Sequence, residues 1–216
     1  MSEVRAEYFD VAGDPGAWRA VGLHVADDGM ITLMGTSLRI VPRAADGPVG
    51  IVGWAVSGST PVATGDTLDI DGLPTTVVDA RPPVFADHPV GAFALDHVVV
   101  ATPDLERTSA AIAAATGHEL RRIRDLGKIR QGFHRVGRGG VILELVEHAD
   151  APAGPARFWG LVFIVEDLDA ACALLGPDLV SPPKDAVQPG RRIATVRVEA
   201  GLGLPVALMT PDSARP

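Results

Sequence analysis

The sequence predicts an α+β fold: two tandem βαβββ units preceded by a β-rich N-terminal segment. Three observations carry that expectation. Segments recur at a constant offset of 63 residues across the second half of the chain. A proline-dense stretch, Arg81 to Pro89, separates this repeat from what precedes it. The 216 residues include 24 glycines and 18 prolines. An average chain holds about 12% of the two together, so short elements and many turns are expected.

Residues 1–80 read as all-β. Trp18–Val25, Met30–Leu33, Ser37–Val41 and Gly50–Val56 alternate or run apolar between turn residues. Asp66–Ile70 and Leu73–Val78 form a hairpin pattern around Asp71-Gly72, a pair suited to two left-handed positions. The first four strands are ordered like the repeat unit without its helix, or they are an unrelated β-extension. Residues 81–91 read as a linker, because prolines oppose helix and central strand alike.

The repeat spans residues 92–214, with unit one at about 94–150 and unit two at about 157–211. In unit one, Leu95–Ala101 is a strand and the helix begins after Thr102, with Pro103 in its first turn. Asp104 and Glu106 lie near its positive end. Leu105, Ile112 and Ala113 make an apolar stripe, and Gly117 ends the helix. Strands follow around Leu120–Arg124, Gly132–Val136 and Val141–Val146. In unit two, Gly160–Val165 is a strand, Leu168–Leu175 a helix stopped by Gly176, and strands lie around Arg192–Val198 and Leu204–Met209.

Composition excludes several classes. Hydrophobic residues are 47% and charged residues 21%, values of a folded globular chain rather than a disordered one. A net charge of −8 argues against nucleic acid as a partner. No 18-residue apolar run suggests a membrane span, and no signal peptide is visible, so a cytoplasmic location is expected. The single Cys172 cannot form an internal disulfide, and its apolar surroundings suggest an inert buried thiol. No dinucleotide fingerprint, phosphate loop or nucleophile elbow is present.

The stretches Leu95-Asp-His-Val-Val, Asp104-Leu-Glu, Ile142-Leu-Glu-Leu and Leu161-Val-Phe-Ile-Val-Glu-Asp-Leu-Asp-Ala-Ala resemble the vicinal oxygen chelate superfamily. That group includes glyoxalase I, extradiol dioxygenases, methylmalonyl-CoA epimerase and bleomycin-resistance proteins. The resemblance implies curved sheets around a pocket. In metal-dependent members, each unit gives one ligand from its first strand and one from its last. Those positions hold His97 and Glu144 in unit one, but Gly160 and Ala207 in unit two. Catalytic metal sites typically draw three protein ligands. No cofactor is therefore expected. A divalent metal, with His97 and Glu144 as candidate ligands, stays open.

Strand alternation extends the site. Leu95, His97 and Val99 share a face with Ile142, Glu144 and Val146, whereas Val98, Val100, Leu143 and Leu145 face the helix. In unit two the pocket side holds Gly160, Val162, Ile164, Pro205, Ala207 and Met209, all without polar side chains. This describes an apolar small-molecule pocket with His97 and Glu144 on one side, or a cavity filled by Phe133, Met209 or the N-terminal segment. Burial raises the pKa of a carboxyl such as Glu144, which suits proton transfer beside a carbonyl.

Seven of the 19 basic residues lie between Arg121 and Arg138. Arg122 and Arg124 share a face and would reach an anionic ligand, or they guard a solvated sheet edge. His134, two residues from Gly132, is a further candidate for the pocket. Arg191 and Arg192, after a Gln188-Pro-Gly turn, would close over an anion or sit in solvent. The three tryptophans read as packing residues. Two functions follow. One is metal-independent binding or sequestration of a small, anionic ligand. The other is an isomerase-, lyase- or dioxygenase-type reaction on a small carbonyl compound, using Glu144 and His97. A homodimer is compatible with either.

Overall fold

The computed structural model describes residues 2–82, 84 and 86–212. Pro83 and Phe85 of the proline stretch, and residues 213–214 at the end of the repeat region, lie outside the described residues.

Two mixed sheets form. The N-terminal one contains β1 (Arg5–Ala12), β2 (Met30–Ile31), β3 (Ser37–Val41), β4 (Gly50–Ser57), β5 (Thr67–Ile70) and β6 (Leu73–Val77). The second contains β7 (Ala92–Thr102), β8 (Arg122–Asp125), β9 (Ile129–Arg135), β10 (Ile142–His148), β11 (Arg157–Val165), β12 (Lys184–Asp185), β13 (Arg192–Thr195) and β14 (Val206–Met209). The helices are α1 (Pro15–Ala20), α2 (Leu105–Thr116) and α3 (Leu168–Leu175).

Strand order in the second sheet is β12-β13-β14-β11-β7-β10-β9-β8. In each unit the first and last strands pair in parallel, and β7 and β11 join the units antiparallel. The pairings reproduce the offset of 63. Val98 sits beside Leu143 in unit one, and Leu161 sits beside Val206 in unit two.

The N-terminal sheet, β2-β3-β1-β4-β6-β5, repeats that plan. β1 pairs parallel with β3, β4 parallel with β6, and β1 with β4 antiparallel. It is a smaller two-unit sheet. Its first unit keeps a short helix, and its second has none between β4 and β5. This corrects the all-β expectation. Trp18–Val25 is not a strand, because Asp14 accepts a hydrogen bond from Gly16 N and Pro15 starts a helical turn. The Asp71-Gly72 hairpin forms as expected, with φ of 53° and 93°.

The helices of the second sheet follow the capping rules. Asp104 caps α2 by accepting from Arg107 N, so Pro103 precedes the helix rather than entering it. Gly117 closes α2 in the left-handed region, φ 71°. Leu105, Thr108, Ser109, Ile112 and Thr116 form its buried stripe. Asp167 caps α3 by accepting from Asp169 N and Ala170 N.

One apolar core runs between the sheets. Phe158 of β11 meets Phe9 edge-on, with ring centroids 5.5 Å apart, and Phe9 stacks on Trp54 at 5.7 Å. Trp18 of α1 approaches Phe163 of β11 at 6.4 Å. Each such side chain contributes about 1.5–3 kcal/mol relative to exposure. The hairpin tip clasps unit one as well. Asp71 accepts from Arg107 Nε at 2.8 Å and from the Thr108 hydroxyl. No helix is long and apolar enough to cross a membrane.

Candidate active site on the concave face of unit one

The face of the second sheet turned away from the core carries a chain of polar side chains. Glu144 sits on β10 beside Val99 of β7. His97 Nε2 lies 3.2 Å from Glu144 Oε2. The Gln131 amide donates to Glu144 Oε1 at 2.6 Å. His97 Nδ1 lies 2.8 Å from Asp96 Oδ2. Arg191 closes the chain, donating from Nη1 to Asp96 Oδ1 at 2.7 Å and from Nε to Thr210 O at 2.9 Å.

Neighbouring Asp96 and His97 share this network because β7 carries a bulge. Val162 pairs with His97 and Phe163 with Leu95, which leaves Asp96 without a facing residue. The extra residue reverses alternation. Leu95 therefore joins the core, 7% exposed, instead of the pocket face. A second bulge lies on β11. Phe158 pairs with Val100, Gly160 with Val99 and Leu161 with Val98, so Trp159 is the added residue. Phe158 and Leu161 both face the core. Trp159 and Gly160 consequently lie on the concave face, where Trp159 is 51% exposed. This corrects its reading as a packing residue. Trp18 and Trp54 are packed, at 0% and 1% exposure.

Burial pushes the Glu144 carboxyl upward, with Asp96 adding to the effect and His97, Gln131 and Arg124 opposing it. Burial also acts against the Asp96 carboxylate. The hydrogen bonds and charges of His97 and Arg191 outweigh it and hold Asp96 below its usual range. Asp96 is thus the fixed anion that orients the imidazole. Glu144 Oε2 and His97 Nε2 lie within hydrogen-bond reach of each other.

Most expected site residues reach this face. Val99, Ile142 and Val146 flank the pair and are half-buried. Arg124 pairs with Gln131 and Arg122 with Phe133 at the β8 edge, which places both guanidinium groups on the side of Glu144. His134 does not. It pairs with Leu143, faces α2 and is 0% exposed. It lies 3.0 Å from both His118 O and Ser109 Oγ. The expectation failed because Gly132, its reference point, itself lies under α2, close to Leu105.

Unit two is closed rather than hollow. Val162, Ala207 and Met209 pack together at 6%, 8% and 2% exposure, with Ala186 and Ile193 against them. Ile164 is 9% exposed. A Cβ on Gly160 would stand 2.7 Å from Pro205 O, so this backbone admits no side chain there. Arg191 is buried and Arg192 pairs with Asp169 on the surface. Cys172 is half-buried and burial raises its thiol pKa.

His97 Nε2 and Glu144 Oε2, the two candidate ligands, lie 3.2 Å apart, and they are two where catalytic metal sites usually supply three. Among the described residues no cluster of three His, Cys, Asp or Glu is placed to hold an ion.

A cavity of about 470 Å³ opens at the ends of β7 and β10, lined in part by Ala101, Ile129, Val146, His148, Lys128 and Arg157. Val146 is two residues beyond Glu144, about 7 Å along the strand.

Duplicated βαβββ units sharing one continuous sheet are the fold of the vicinal oxygen chelate superfamily, and this chain has that fold. No family model matches the chain, and no curated protein matches it. Solved structures do. A triple mutant of 4-hydroxymandelate synthase from Streptomyces coelicolor superposes with a TM-score of 0.69 at 16% identity. The match covers 98% of this chain and 94% of that one. Methylmalonyl-CoA epimerase from Mycobacterium tuberculosis matches at 21% identity and a TM-score of 0.48, over 57% of this chain and 91% of its own. A Streptomyces coelicolor methylmalonyl-CoA epimerase gives 22% identity and 0.46, over 56% and 99%.

Proposed function

We propose that this protein binds a small, anionic carbonyl compound on the concave face of unit one and moves a proton on it with Glu144 and His97. The observation that carries the reading is the buried chain Arg191–Asp96–His97–Glu144–Gln131. A carboxylate whose pKa is raised by burial is a stronger base than a surface one. Glu144 would take a proton from the carbon next to the carbonyl. The electron pair of the broken C–H bond moves onto the carbonyl oxygen, giving an enolate. Return of the proton to the opposite face of the same carbon completes an epimerisation. Lys128 and Arg157 at the cavity suit the ligand's anionic end, with Arg122 and Arg124 at the β8 edge as the alternative.

The test is deuterium uptake. A panel of 2-oxo acids and acyl thioesters in D2O is followed by proton NMR with wild-type protein and with Glu144→Gln. The expected result is exchange at the carbon beside the carbonyl, slowed about 10²–10⁴-fold by the substitution. Exchange at the same rate in both proteins overturns the role of Glu144. Ligand binding without any exchange favours sequestration, the first function the sequence suggests.

A further inference from the structure

A second cavity, of about 320 Å³, lies between the N-terminal sheet and the turn joining β9 to β10. It belongs to no part of the concave face. Three arginines from three separate segments line it: Arg5 on β1, Arg81 after β6, and Arg138 in the β9–β10 turn. We propose that this cleft binds a phosphate-bearing small molecule, with the three guanidinium groups around a diphosphate-sized anion.

Charge is the first argument. In a chain of net charge −8, three cations share one cavity with a single acid, Glu7. Both oxygens of that carboxylate are already engaged. Oε1 accepts from the Ser57 hydroxyl at 2.5 Å, and Oε2 from Arg81 N at 3.1 Å. Neither Arg5 nor Arg138 has an ion-pair partner among the described residues. Arg81 stands over the Tyr8 ring, 5.5 Å from its centroid, and like charges around one cavity repel unless an anion joins them.

An open backbone and one hydroxyl supply the second argument, although Gly137 N already donates to His118 Nε2 and Gly140 N to Gly137 O. The turn at Gly137-Arg-Gly-Gly140 takes left-handed φ at Gly137 (82°) and Gly139 (69°), and Gly35 opposite takes 86°. A Cβ on Gly35 or Gly139 would meet nothing within 4 Å, so the backbone at both positions faces open space. Ser37 Oγ accepts from Leu33 N, which leaves its own proton to donate. Guanidinium groups and exposed main-chain amides together are the usual partners of phosphate oxygens.

Isothermal titration at fixed ionic strength tests this with inorganic pyrophosphate and with ADP. Wild-type protein is expected to bind at least one of them, and Arg5→Ala/Arg138→Ala to weaken that binding at least tenfold. Both side chains are exposed, so the double variant should keep the wild-type melting temperature. The control Arg43→Ala/Arg121→Ala removes the same charge from exposed sites elsewhere and should bind as wild type does. Tighter binding of ADP assigns a nucleotide; equal or tighter binding of pyrophosphate assigns the diphosphate itself. Binding that survives R5A/R138A, equal loss in the control variant, or no binding of either probe overturns the proposal.

Discussion

Units one and two share a fold, a register and an offset, yet differ at the two positions where chemistry would sit. Unit one holds His97 and Glu144; unit two holds Gly160 and Ala207. Unit one keeps its concave face half-open and polar. Unit two packs Val162, Ala207 and Met209 under Ala186 and Ile193. Of the two, unit two acts as the buttress. Its remaining contribution to the other is Arg191, which crosses from unit two to hold Asp96.

That crossing gives the largest expected stability effect. Arg191 and Asp96 are 7% and 8% exposed at their side chains. Removing one member of a buried pair strands the other and costs about 3–5 kcal/mol. Arg191→Ala should therefore lower the urea midpoint strongly. The double variant Arg191→Met/Asp96→Asn should recover part of the loss, because no bare charge is left behind. If Arg191→Ala unfolds at the wild-type midpoint, the two units are not held together this way.

Gly160 asks whether unit two could carry any side chain at the position that matches His97. Its missing Cβ would stand 2.7 Å from Pro205 O, a backbone atom that cannot swing aside. Gly160→Ala is expected to cost about 1–3 kcal/mol through overpacking. A histidine there would first have to separate β11 from β14. An alanine variant as stable as wild type would mean that the strands yield readily, and that the asymmetry is not enforced by packing.

Much of this was legible in the sequence, and the failures have physical causes. Helices α2 and α3 were legible from their apolar residues and terminal glycines, but the aspartate caps were not: α2 was started after Thr102, two residues before its cap Asp104. His97 and Glu144 were found because one offset aligned both ends of a unit. Asp96 was missed because alternation assigns it to the core, and only a bulge turns it outward. A bulge has no local signature in Leu95-Asp-His. Gln131 was missed because register across β9–β10 is a tertiary fact, and Arg191 was read as closing over an anion or sitting in solvent because the reach of a long side chain to Asp96 is one too. Helix α1 was read as strand because six residues are too few to show a helical period.

The N-terminal sheet and unit one each bury a neutral histidine, which contrasts with the charged network around His97. His88 Nδ1 accepts from His24 N while Nε2 donates to Thr32 O. Burial lowers the pKa of both His88 and His134. The unfolded chain therefore takes up protons first. The stability from these groups is complete above the unfolded value of about 6.5, and it falls as pH drops through that value toward the folded ones, by at most about 1.4 kcal/mol per pH unit for each histidine. Urea midpoints between pH 8 and 5 should decline less steeply in His88→Gln than in wild type. Parallel slopes would mean that His88 takes up its proton without losing its contacts.

The smallest stability effect is expected where the concave face is most open. Trp159 is exposed because a bulge removes it from the core and Phe158 takes the buried place. Trp159→Ala removes no packed contact of the core, so it should change stability by no more than about 0.5 kcal/mol. An exposed indole on the face that carries Glu144 is a surface a ligand can cover, so the same substitution should weaken ligand binding measurably, as read by titration. The two readouts separate a binding residue from a packing one. Large destabilisation would place Trp159 back in the core, and unchanged affinity would move the ligand away from β11, toward the β8 edge where Arg122 and Arg124 stand.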